Sequence, residues 1–142
     1  MTQRLTTIRH DVVQAVRDKA GLPSMLRAGQ LVDTVLGMLV SAAPSTTRQH
    51  VLGARPELVT AVAELETRPS SAATKDLLDA LARAMNRSPE QTGLRTGVVL
   101  DALDTHDPTT VARIAAALPE GTVTALRQAA TDASAAATTS AG

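Results

Sequence analysis

Apolar residues recur at spacings of three and four from the start of the chain, where Leu5, Ile8, Val12, Val16 and Ala20 fall on one side of a helix. Gly21 follows as a stop. Ser24 is placed to cap a second helix whose face carries Ala28, Val32, Val35, Leu36 and Leu39, and which ends before Pro44. A short third helix is predicted from Ser45 to Ala54, and a fourth after Arg55-Pro56 with Leu58, Val59, Val62 and Leu65. Residues 67–73 are small and turn-forming, without periodicity, and read as a connector. The pattern then restarts. Thr74 can cap a helix bearing Leu77, Leu78, Leu81 and Met85, and Ser88-Pro89-Glu90-Gln91 combines an N-cap, a proline at the first helical position and a capping-box partner. The helix opened there runs through Thr92, Thr96, Val99, Leu100 and Leu103. Asp107 is placed as N-cap, ahead of Pro108, for a helix with Val111, Ile114, Ala115 and Leu118 that Pro119 interrupts. A last helix covers Val123 and Leu126.

The two halves match each other. An offset of 64 places Ala28 on Thr92, Val35-Leu36 on Val99-Leu100, Leu39 on Leu103 and Pro44 on Pro108. With an offset of 63, Val51 falls on Ile114 and Arg55-Pro56 on Leu118-Pro119. Prolines bounding the same helices favour a duplicated four-helix unit. The expected fold is therefore all-α, with about eight short helices in two similar four-helix repeats. The first repeat spans residues 1–66, the linker 67–73 and the second repeat 74–130. Residues 131–142 hold one charge and nothing larger than threonine or aspartate, so they read as a disordered tail.

Composition constrains the core. There are 26 alanines, 17 leucines, 13 valines, 2 isoleucines and 4 methionines, and no Phe, Tyr, Trp or Cys. Helices must then pack closely over short aliphatic side chains. Without cysteine there is no disulfide, thiolate metal site or cysteine nucleophile, which suits a reducing compartment. The N-terminal residues carry no apolar run with a cleavage site, and no stretch nears the roughly 20 apolar residues of a membrane span, so a cytoplasmic protein is expected. Fourteen basic side chains balance fourteen acidic ones.

Each half resembles a repeat of a bacterial family of small helical proteins, the domain-of-unknown-function family 2267. The resemblance rests on Leu77-Leu78-Asp79-Ala80-Leu81, Ser88-Pro89-Glu90-Gln91, Val99-Leu100-Asp101-Ala102-Leu103 and Ala117-Leu118-Pro119-Glu120 in the second half. In the first it rests on Val13-Gln14-Ala15-Val16, Ala20-Gly21-Leu22, Thr34-Val35-Leu36-Gly37-Met38-Leu39 and Arg55-Pro56-Glu57-Leu58. It spans about residues 8 to 126. The chain departs from the family's pattern at Arg55, where a leucine would precede the proline, and in lacking aromatic residues. The resemblance implies a helical fold and transfers no catalytic residue.

Chemistry-bearing residues are sparse. His10, His50 and His106 are far apart and never at the i, i+4 spacing of paired helical ligands. Asp101, Asp104, His106 and Asp107 form the densest polar cluster and could hold a divalent cation. Asp107 is better read as the N-cap before Pro108, and Asp101 and Asp104 as a solvated helix face. No serine lies in a nucleophile elbow, and neither Lys19 nor Lys75 stands in a glycine-rich loop. Gly93 and Gly97 mark a place of close helix approach. Twelve arginines invite a nucleic-acid reading, for which Arg27, Arg48, Arg55, Arg95 and Arg113 are the side chains to test. Zero net charge and no stacking aromatic argue against it. No catalytic, cofactor-binding or metal residue is assigned, and no cofactor is expected.

The function expected from these residues is a non-enzymatic helical protein-interaction or structural module, through a protein partner or self-association. The first alternative is a small-ligand or divalent-cation binding protein, using the aspartate cluster and a pocket between the repeats. The second is a weak nucleic-acid binder. Neither membrane nor nucleic acid is the expected partner.

Overall fold

The computed structural model describes residues 2–63 and 74–141. Within them run eight α-helices and no strand: α1 (Thr2–Ala20), α2 (Met25–Ala42), α3 (Ser45–Ala54), α4 (Glu57–Ala63), α5 (Thr74–Met85), α6 (Pro89–His106), α7 (Pro108–Ala117) and α8 (Thr122–Ala141). The all-α expectation holds. The predicted connector at 67–73, and Leu65 at the end of the fourth predicted helix, lie outside the described residues.

Helix ends follow the sequence signals. Gly21 adopts φ +65° after α1, and the Leu22 N–H donates to the Arg17 carbonyl at 3.0 Å. Asn86 takes φ +52° after α5, and the Arg87 N–H donates to the Ala82 carbonyl at 3.2 Å. Both are Schellman terminations, which need a left-handed residue that glycine and asparagine adopt most readily. The side chains of Ser24 and Ser88 accept from the N–H groups of Arg27 and Gln91, each at 3.2 Å, and so cap α2 and α6.

α8 runs from Thr122 into residues 131–141, where the sequence is rich in alanine. Alanine is the best helix former, and Ala133 is buried. Small residues build the seam between α8 and α6. At that seam α6 presents Gly93 and Gly97 to α8. A Cβ added at Gly97 would overlap the Ala130 Cβ, and one at Gly93 would stand 3.4 Å from the Ala129 carbonyl oxygen. Gly37 on α2 is looser, with 3.7 Å to the nearest atoms of Ala61 and Val62 on α4.

α2 and α6 occupy the centre. α2 packs on α1, α3, α4 and α5, while α6 packs on α1, α5, α7 and α8, and the two touch each other. Helices therefore cross over: α1 lies against α6, and α5 against α2. One apolar cluster results, running from Val12 and Val16 through Val35, Met38 and Leu39 to Leu77, Leu81, Leu100, Leu103 and Leu126. Each fully buried aliphatic side chain contributes roughly 1.5–3 kcal/mol, so a core without rings is sufficient at this length.

Candidate functional site

The aspartates of the predicted cluster separate in space according to which cation each one meets. Asp101, exposed on α6, faces Lys19 of α1 at 4.0 Å. Asp104, one turn on, pairs with Arg127 of α8. Asp107, buried at the α6–α7 corner, accepts from the guanidinium of Arg55, which is 4% exposed, and from the Thr110 hydroxyl at 2.8 Å. Three carboxylates thus answer three cations on three different elements. His106 is half-buried, His10 and His50 are exposed, and they sit on α6, α1 and α3. Among the described residues no three His, Asp or Glu side chains are grouped to hold a metal ion.

The capping role read for Asp107 needs correction. Asp107 occupies the N-cap position of α7, but its side chain makes no capping hydrogen bond to the backbone. Its carboxylate turns instead to Arg55 at the end of α3, which lies against α7. A charge-assisted bond to a guanidinium is stronger than a cap to a neutral N–H, so the long-range partner wins. Arg55, the residue departing from the resemblance, is the one that takes this buried partner.

The arginines singled out for nucleic acid do not gather on one face. Arg55 is buried, Arg113 is exposed on α7 and Arg48 is half-buried on α3. Arg27 and Arg95 line, together with Arg87, a cleft of about 640 Å³ between the α1–α2 turn and the α5–α6 turn. Burial, and then the positive charge of Arg87, lower the pKa of the Arg95 guanidinium below its ordinary value. Arg87 escaped sequence reasoning because it stands in a turn and marks no helical face. It directly follows Asn86, which takes φ +52°.

A second depression, about 410 Å³, lies along α1 and α2. Val13 and Met25 contribute apolar surface, and Leu26 stands at its edge with 72% of its surface exposed. Arg9 of α1 reaches across the Gly29 backbone to Asp33 of α2, with guanidinium–carboxylate distances of 2.6 and 3.0 Å. His10 and Gln30 complete a polar rim.

Among the described residues no helix is long and apolar enough to cross a membrane. A family model described as an uncharacterized conserved protein, DUF2267, matches residues 9–125. No curated protein and no solved structure matches the chain.

Proposed function

The chain belongs to the DUF2267 family of uncharacterized conserved proteins, and from that premise we propose that it is a non-enzymatic helical protein-interaction module. The carrying observation is Leu26, 72% exposed in the first turn of α2 beside the groove of Val13 and Met25. Protein interfaces combine an apolar centre with a polar rim, and here the Arg9–Asp33 pair, His10 and Gln30 supply the rim. A chain without aromatic residues must anchor a partner on leucine, methionine and arginine. An amphipathic helix, from another protein or from a second copy, suits a groove laid between two helices. The pairing of Asp101, Asp104 and Asp107 with Lys19, Arg127 and Arg55 supports a structural use of those carboxylates over a catalytic one. We place the module in the reducing cytoplasm on its lack of cysteine.

Sedimentation at rising protein concentration, paired with affinity capture, tests the reading. The wild type should self-associate or retain a protein partner, and Leu26→Glu should abolish that while keeping full helicity. A strict monomer at high concentration that captures nothing would contradict it.

A further inference from the structure

The turns that close α1 and α5 approach each other across the cleft described above. Gly21-Leu22-Pro23 comes from one side and Ala84, Met85 and Arg87 from the other, while Arg27 projects from α2 and Arg95 from α6. Among the described residues no carboxylate lines this space. Elsewhere the described arginines Arg9, Arg17, Arg55 and Arg127 each meet an aspartate. Among the described residues Arg27, Arg48, Arg83, Arg87, Arg95 and Arg113 have no such partner, and three of these, Arg27, Arg87 and Arg95, share one cleft. Arg95 is half-buried, and its pKa is lowered first by that burial and then by the positive charge of Arg87. Holding like charges together without a counterion costs free energy, which a bound anion would remove.

The chemistry of the lining narrows the anion. Guanidinium groups present a planar fork that matches phosphate oxygens two at a time. Gln30 and Thr34 add neutral hydrogen-bonding groups, and Leu22, Leu31 and Met85 add apolar wall for an organic body. The volume falls in the range of about 300–1,000 Å³ that holds small molecules. A chain of zero net charge has no extended positive field for a polyanion, and no aromatic side chain on which bases could stack. We propose that this cleft is a binding site for a small organic phosphate, with Arg27, Arg87 and Arg95 as the groups that bind its phosphate.

Calorimetric titration of the full chain with inorganic pyrophosphate, at low salt and without competing anions, tests the site. One pyrophosphate should bind per chain. Arg87→Gln and Arg95→Gln should each weaken binding about tenfold or more. Their combination should remove it, and Arg113→Gln on the distant α7 surface should change nothing. Arg87→Lys, which keeps the charge and loses the fork, should fall between. The free Arg87→Gln protein should melt no lower than wild type, because a repulsion has been removed; this separates a binding role from a structural one. Should Arg95→Gln fail to fold, the exposed Arg87 variants still give the result. No pyrophosphate binding by the wild type would overturn the proposal, as would undiminished binding by the double variant. Binding of a single-stranded oligonucleotide that pyrophosphate does not displace would overturn it in favour of a polymer.

Discussion

The first and second halves of the chain meet around arginine in two places, and the two places are opposite in character. Where α3 meets α7, Arg55 is buried and its charge is matched by Asp107, which also takes the Thr110 hydroxyl. Where the α1–α2 and α5–α6 turns meet, Arg27, Arg87 and Arg95 share a cleft that no acidic side chain among the described residues lines. A guanidinium buried with its counterion is committed to the fold, and removing one member leaves an uncompensated charge in low dielectric. A guanidinium at an open cleft without a counterion is committed to nothing inside the molecule. The same residue type therefore serves structure at one junction and recognition at the other.

Arg55→Leu should break this contrast most severely. It leaves the Asp107 carboxylate buried with the Thr110 hydroxyl and without Arg55, and should cost about 3–5 kcal/mol in denaturant unfolding. Arg55→Leu combined with Asp107→Ala should recover most of that loss, to within about 1–2 kcal/mol of wild type, since an apolar replacement of a buried pair is often tolerated. Those substitutions install the residues that the sequence offsets of 63 and 64 align with them, Leu118 and Ala43, which are both buried. Failure of the double variant to recover would mean that the pair contributes more than mutual compensation. Asp33→Ala removes the partly exposed pair with Arg9 and should cost no more than about 1 kcal/mol by the same measurement. Arg87→Gln should shift stability least, within about 0.5 kcal/mol and toward greater stability, while changing binding most.

The fold was largely legible because helix signals are local. Ser24, Ser88, Gly21 and the prolines act on backbone groups a few residues away, and the aliphatic stripes repeat within single helices. Gly93 and Gly97 announced the close seam with α8. Asp107 was legible as a position and not as an interaction, since its partner Arg55 comes from a distant helix end. The same limit hid the cleft. Arg27 and Arg95 stood out as separate arginines, but their sharing one cleft with Arg87 is created by the packing of α1 on α6 and of α5 on α2. Periodicity in one dimension holds no information about that packing partner. The aspartate cluster erred in the other direction: neighbours in sequence, Asp101, Asp104 and Asp107 point to three separate cations because successive turns of a helix face different neighbours.

Thermal unfolding of wild type and Arg87→Gln across a pyrophosphate series tests the difference between the two junctions in one experiment. The account predicts a wild-type Tm that climbs with ligand, by the equivalent of about 2.7 kcal/mol at a hundredfold excess over Kd. Arg87→Gln should start at the same Tm or higher and stay flat. A variant that melts lower without ligand, or that responds to pyrophosphate as the wild type does, would contradict it, as would a wild type that does not respond at all.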